Sequence, residues 1–315
     1  MKKCLVFMLV IMHLFLVCSC KNDMATFSDV DASNDKDIVI LITGSTHGAV
    51  NANINYEKIG KYKNDLKKEN YAVLVDAGDF TSFDDNGNIE SGSSEETELN
   101  KKREEEIKNA QSNIKKASYD FVAIGENEIN IGINNIISLS KDIKDRIHCA
   151  NLIDLRTNDK VFNSYKIMTF GNKKVAFISA LTPDIYQKNT FLFRDDEARY
   201  IYDLLSDKNG EKLCREIQNT VKEVKEKGAN YIVLVGHFGT IPFSKVCDYK
   251  TILENTNGID VFIDGHSTQN NIQFLKNSEG KEVLFMQVEN ELKSIGRVYI
   301  TKDGKKNGQC IDSIK

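Results

Sequence analysis

The chain has no surplus of basic residues: 42 Lys and Arg stand against 46 Asp and Glu, a formal charge of −4. That balance excludes a nucleic-acid partner held through phosphate contacts, because such binding draws its affinity from clustered cations. Cysteine is sparse after residue 20. The four that remain, Cys149, Cys214, Cys247 and Cys310, show no spacing of a disulfide framework or a zinc ribbon. No internal repeat is present. Beyond the first twenty residues no apolar run is long enough to cross a membrane. Histidine is scarce too, five in 315 residues. What the chain does have is a hydrophobic content of 41%, ample for one large core.

The N-terminus carries an address. Lys2 and Lys3 precede an apolar stretch from Leu5 to Val17, and polarity rises sharply at Lys21-Asn22-Asp23. The stretch is too short to span a bilayer and ends at a processing site, so residues 1–19 read as a secretory signal peptide. The sequence Leu16-Val17-Cys18-Ser19-Cys20 resembles a bacterial lipoprotein signal, with Cys20 as the lipidated first residue after small Ser19. The expected location is the cell envelope, at the periplasmic face or cell surface, with the membrane as partner through the lipid on Cys20. Loss of Lys2 and Lys3 leaves the remainder at about −6. Residues 20–36 are polar and read as a flexible tether.

From Asp37 onward, apolar runs alternate with charged stretches of helical spacing. Ile38–Ile42, Tyr71–Val75, Phe121–Ile124, Lys174–Ile178, Tyr231–Val235 and Val261–Asp264 read as strands buried on both faces. Ile54–Lys68, Glu104–Ala117 and Gly210–Lys227 read as helices. The alternation predicts an α/β layered fold. Val283–Val288 and Ile295–Ile300 read as a pair of adjoining strands. Residues 82–102, with almost no large apolar side chain, read as a mobile acidic loop. Residues 304–315 read as a C-terminal tail. His148-Cys149 reads as a buried strand end rather than a ligand pair.

Five segments follow these runs: Thr43-Gly44-Ser45-Thr46-His47-Gly48, Asp76-Ala77-Gly78-Asp79, Gly125-Glu126-Asn127-Glu128-Ile129-Asn130, Gly236-His237-Phe238-Gly239 and Asp264-Gly265-His266-Ser267-Thr268. Their order and spacing resemble the metallophosphoesterase (calcineurin-like) domain of the 5'-nucleotidase and periplasmic nucleotide-sugar hydrolase family. The resemblance implies a four-layer sandwich over residues 37–303, two packed mixed β-sheets flanked by helices. It also implies that the C-terminal nucleotide-binding domain of the longer relatives is absent.

For the site, the resemblance implies a two-metal cluster. Asp79 falls on the bridging carboxylate, His47 on a ligand of the first metal, and Glu126, His237 and His266 on ligands of the second. Ser45 stands where the family has an Asp. Thr268 stands where it has an amide or imidazole, although Gln269 is adjacent. Asn127 and Asn130 stand at the positions of the family's catalytic His–Asp pair. Asn can donate a hydrogen bond but has no proton to give, so general-acid help worth about 10²–10⁴ in rate is lost. Two His with two carboxylates suit a single zinc or manganese ion, while the second site is crippled. Gly44, Gly78, Gly125, Gly236 and Gly265 are expected to permit tight turns, and Glu128 to support the ligands without touching the metal.

The resulting expectation is an envelope lipoprotein with a degenerate two-metal site. It would bind one ion and a phosphate ester or nucleotide, with weak or no hydrolysis, and act as a binding module. Two rivals are a working phosphohydrolase with an unusual one-metal site and a structural envelope protein. Asn127 and Asn130 speak against ordinary catalysis; Asp79, His237 and His266 speak against a purely structural role.

Overall fold

A computed structural model describes residues 35–49, 51, 53–82, 94–239 and 246–314. The signal peptide, Cys20 and most of the expected tether lie outside the described residues. In chain order the strands are β1 (Ile38–Thr43), β2 (Tyr71–Asp76), β3 (Phe121–Ala123), β4 (Ile147–His148), β5 (Ile153–Asp154), β6 (Asp159–Lys160), β7 (Tyr165–Phe170), β8 (Lys173–Leu181), β9 (Tyr202–Asp203), β10 (Tyr231–His237), β11 (Val261–Asp264), β12 (Asn271–Lys276), β13 (Glu282–Gln287), β14 (Ile295–Ile300) and β15 (Lys306–Ile311). The α-helices are α1 (Tyr56–Leu66), α2 (Ser94–Ala117), α3 (Glu126–Ile131), α4 (Ile133–Ser140), α5 (Asp184–Lys188), α6 (Glu211–Glu226) and α7 (Tyr249–Asn255).

Two six-stranded sheets dominate. The first runs β15-β14-β1-β2-β3-β4 and the second β12-β13-β11-β10-β8-β7. The interior strands of each are parallel, with antiparallel edges at β14–β15, β12 and β7. Strand periodicity shows why the sheets stack. Ile38, Ile40 and Ile42 join Val175, Phe177, Val233, Val235 and Ile263 in a core between the sheets. Val39 and Leu41, pointing the other way, pack with Ile59 of α1 and Ile114 of α2. On the far side Ile178, Leu234 and Phe262 meet Leu213, Ile217 and Val221 of α6. Three apolar layers between four structural layers give the expected α/β sandwich. No helix among the described residues is long and apolar enough to cross a membrane.

Three expectations need correction. Residues 94–102 of the acidic loop are the first turns of α2; residues 83–93 lie outside the described set. The loop composition lacks an apolar anchor, but the anchor is supplied further along by Ala110, Ile114 and Ala117. Once those are fixed, extension backwards costs little, and Lys115 and Lys116 in the last turn suit the helix dipole. The C-terminal tail is not free: Lys306–Ile311 forms β15, which satisfies the outer hydrogen-bonding edge of β14. The domain therefore runs past residue 303. Finally, Val283–Val288 and Ile295–Ile300 do not adjoin. β13 pairs with β11 and β12, whereas β14 pairs with β1 and β15. The residues between them include Glu291 and Leu292 at positive φ and carry the chain from one sheet to the other.

Candidate metal centre

The five motif segments meet where parallel strands of both sheets end. Ser45 and His47 follow β1, Asp79 follows β2, Glu126 opens the helix after β3, His237 closes β10, and His266 follows β11. The loops after β1 and β2 are zipped together: Ser45 N–H donates to Gly78 O at 2.8 Å, His47 N–H to Asp79 O at 3.0 Å, and Gly48 N–H to Phe80 O at 3.1 Å. Ser45, His47 and Asp79 all sit in the left-handed region, with φ of 46°, 49° and 55°. Such strain costs of order 1–3 kcal/mol per residue and persists only when neighbours overdetermine it.

The glycines act differently from the expectation. Of the five, only Gly78 has positive φ. Gly125 and Gly265 are required by close approach instead. A Cβ at Gly125 would lie 2.2 Å from Asp79 Oδ1, and one at Gly265 would lie 2.1 Å from Ala77 O.

Asp79 is the hub. Its Oδ1 accepts from Asn127 N–H at 2.8 Å. Its Oδ2 faces His237 Nε2 at 3.2 Å and His47 Nε2 at 3.8 Å. His237 is fully buried and its Nδ1 lies 2.9 Å from Ala77 O. A carbonyl accepts only, so Nδ1 carries the hydrogen and donates, a tautomer assigned from its partner. In the neutral ring, Nε2 then offers a lone pair to the carboxylate lone pairs of Asp79, which calls for a proton or a cation between them. Although close, His237 Nε2 makes no aligned hydrogen bond, and His266 Nδ1 is likewise buried without a partner. Burial alone would lower the His237 pKa, but the Asp79 charge and its contact push it up to about 10. Burial would raise Asp79, yet His237 and His47 hold it well below the usual carboxylate range. The ring centroid of His266 lies 4.9 Å from that of His237, and burial together with the His237 charge lowers the His266 pKa.

Glu126 is turned towards α5: its Oε1 lies 3.7 Å from Lys188 Nζ. Its charge acts on both His237 and His266. Among the described residues, no three His, Cys, Asp or Glu side chains form a ready-made metal-holding group. The donor chemistry still suits a divalent cation, because the fully buried imidazole of His237 and the half-buried one of His266, each with an unpartnered buried nitrogen, accompany a low-pKa carboxylate.

Two further carboxylates shape the centre. Glu128 accepts from Asp79 N–H (2.9 Å), Gly125 N–H (2.8 Å), Thr81 N–H (2.9 Å) and Thr81 Oγ1 (2.9 Å). It thus ties together the loops that carry Asp79, Thr81 and Gly125. Burial and the Asp79 charge push its pKa up to about 7 against these four donors. Asp264 had no assigned role, although a carboxylate closing an apolar strand was a usable signal. It accepts from Phe238 N–H (2.8 Å), Gly239 N–H (3.2 Å) and Gln287 Nε2 (2.8 Å), and so holds the turn after His237. Lys188 had no signal in the sequence, since nothing local ties α5 to Glu126.

The substituted positions are committed elsewhere. Ser45 Oγ donates to Gly265 O at 2.7 Å, pinning the loops of the two sheets to each other. Asn127 Nδ2 donates to Thr81 O at 3.1 Å, and Asn130 Oδ1 accepts from Asn189 Nδ2 at 3.1 Å. Thr268 and Ser45 line one cavity of about 580 Å³ with His47, Asp79 and His266, and Gln269 and Asn271 complete part of its wall.

No protein-family model matches the sequence, and no curated protein is similar to it by sequence. Solved structures match it by fold. A 5'-nucleotidase precursor of Thermus thermophilus aligns with a TM-score of 0.65 and 17% identity, over 88% of this chain and 55% of its own. A calcineurin-like phosphoesterase of Bacillus subtilis aligns with a TM-score of 0.61 and 17% identity, over 88% of this chain and 91% of its own. A Thermus thermophilus sulfate thiohydrolase aligns with a TM-score of 0.64 and 15% identity, over 88% and 57%. The chain thus spans about half the length of the nucleotidase and the thiohydrolase.

Proposed function

We propose that this chain, which has the metallophosphoesterase fold, is an exported, lipid-anchored protein that binds one divalent cation and a phosphate ester or nucleotide, with weak or no hydrolysis. Asp79, His237 and His266 would hold the ion, with Glu126 as a fourth donor and His47 at the rim. The observation that carries this reading is the 3.2 Å approach of Asp79 Oδ2 to His237 Nε2 while His237 Nδ1 is committed to Ala77 O. His237 Nε2 and His266 Nδ1, both buried without a hydrogen-bond partner, would be the nitrogens available to a bound cation beside Asp79.

When bound, a divalent cation supplies Lewis-acid polarisation of a phosphoryl oxygen. The chain's own residues then limit the chemistry. Asp79, fixed by Asn127 N–H, keeps its charge and orients His237. The Asn127 amide can offer a hydrogen bond to a phosphoryl oxygen if it leaves Thr81 O. Neither Asn127 nor Asn130 can hand a proton to a leaving group, which forfeits about 10²–10⁴ in rate. Ser45, a neutral hydroxyl already bonded to Gly265 O, supplies no charge for a second ion. Fold similarity alone leaves the substrate open, since phosphoesterases and a thiohydrolase share the architecture.

The test is metal analysis of the purified protein, with zinc or manganese titration followed by thermal melting and a phosphatase screen on the same sample. About one bound equivalent, a higher melting temperature with added ion, and turnover far below about 1–10³ s⁻¹ are expected. Ordinary turnover would favour the one-metal or two-metal enzyme instead. No binding and no thermal shift would remove the metal reading.

A further inference from the structure

Two of the four cysteines among the described residues, Cys214 and Cys247, belong to one buried apolar cluster on the outer face of the second sheet. Cys214 is in the first turn of α6, where its N–H donates to Gly210 O at 3.0 Å. Cys247 immediately precedes Asp248, whose carboxylate caps α7 by accepting from Thr251 N–H at 2.9 Å. The Cys247 side chain packs onto Gly210: a Cβ built there would lie 2.8 Å from Cys247 Cβ and 2.9 Å from its Sγ. Gly210, at φ +72°, is therefore the residue that lets Cys247 reach the turn carrying Cys214.

Cys214 Sγ in turn lies 4.0 Å from Thr251 O, in the first turn of α7, so the side chain reaches the turn that Cys247 leads into. Both thiols are buried, Cys214 at 5% exposure and Cys247 at 1%, so Cys214 is the one nearer solvent; the Cys247 thiol beside it lowers its pKa, and that of Cys247 is raised. The other two cysteines face different partners. Cys149 Sγ lies 3.5 Å from Asn151 Oδ1, and Cys310 Sγ lies 4.0 Å from Gln287 O.

We propose that Cys214 and Cys247 form an intramolecular disulfide by exchange with an external disulfide, tying the start of α6 to the start of α7. In the first step the Cys214 thiolate attacks one sulfur of the external disulfide. A mixed disulfide forms and one thiolate leaves. In the second step Cys247, having given its proton to water, attacks the Cys214 sulfur and expels the second thiolate. The two cysteines lose two electrons and two protons together; the external disulfide gains the electrons and ends as two thiols. An exported chain meets such oxidants, but the exchange itself needs only a disulfide within reach and does not depend on the metal centre.

The experiment exposes the native full chain to oxidised glutathione, with a parallel sample in reductant. Both are quenched in acid, unfolded, alkylated and digested with trypsin. Cleavage after Lys212, Arg215, Lys245 and Lys250 isolates each cysteine on its own short peptide. The expected product is Leu213–Arg215 joined to Val246–Lys250, lighter by two hydrogens than the separate peptides. Cys149 and Cys310 should remain alkylated. The oxidised protein should melt about 5 °C higher, reversed by reductant. C214S and C247S should each abolish both the linked peptide and the oxidant-dependent shift. Full alkylation of Cys214 and Cys247 after oxidation overturns the proposal, as does linkage of either to Cys149 or Cys310. Metal content is scored separately, so this result stands or falls independently of the metal reading.

Discussion

Removing Glu128 should loosen the hub from behind without touching a ligand. In Glu128→Ala, three buried backbone donors, at Asp79, Thr81 and Gly125, and the Thr81 hydroxyl lose their acceptor. An orphaned buried donor costs about 1–3 kcal/mol, so the three amides alone cost about 3–9 kcal/mol before relaxation. Water entering the vacated space re-satisfies part of this, and we expect a net loss of about 3–5 kcal/mol. Glu128→Gln keeps one acceptor oxygen and can donate to the Thr81 hydroxyl. It leaves about one amide orphaned, for a loss of about 1–3 kcal/mol. Urea unfolding should show a lower midpoint with an unchanged slope. Hydrogen exchange should speed up at the Asp79, Thr81 and Gly125 amides while the β1 and β10 amides stay protected. A loss below about 1 kcal/mol for Glu128→Ala, or unchanged protection at those three amides, would refute the claim that this carboxylate holds the three loops together.

Other outcomes follow from the same geometry. His148 stacks on Phe121 and burial lowers its pKa to about 4; a depressed histidine favours folding when neutral, so stability should fall by up to about 3 kcal/mol as pH drops from 6.5 to 4. Urea midpoints across that range should flatten in His148→Gln. Gly125→Ala places a methyl against Asp79 Oδ1 and should weaken zinc or manganese binding at least tenfold, read by calorimetric titration; an unchanged isotherm would contradict the placement of Asp79 as hub. Ser45→Asp, Asn127→His and Asn130→Asp together should raise hydrolysis of a small generic phosphate ester more than any one alone, because the groups act as a unit. Equal rates for the triple variant and the best single one would argue against that coupling.

The strand ends and their chemistry were legible in the chain. Continuous apolar runs such as Ile38–Ile42 and Tyr231–Val235 must be buried on both faces, and this dictates strands inside a layered fold. Residues placed directly after such strands arrive together at one edge of the sheets, and the resemblance carried by those segments is what grouped His47, Asp79, Glu126, His237 and His266, with Ser45 at a lost position. The length of α2, the pairing of β15 and the separation of β13 from β14 were not legible. Each depends on partners distant in sequence: an apolar anchor downstream, an unsatisfied strand edge, and a sheet-to-sheet crossing. Tertiary structure alone decided that Glu126 turns towards Lys188, that Ser45 pins Gly265, and that Cys247 rests on Gly210 beside Cys214. Residue type sets what a side chain can bind. Which partner it meets is set by how two sheets and their loops pack, and no local pattern encodes that.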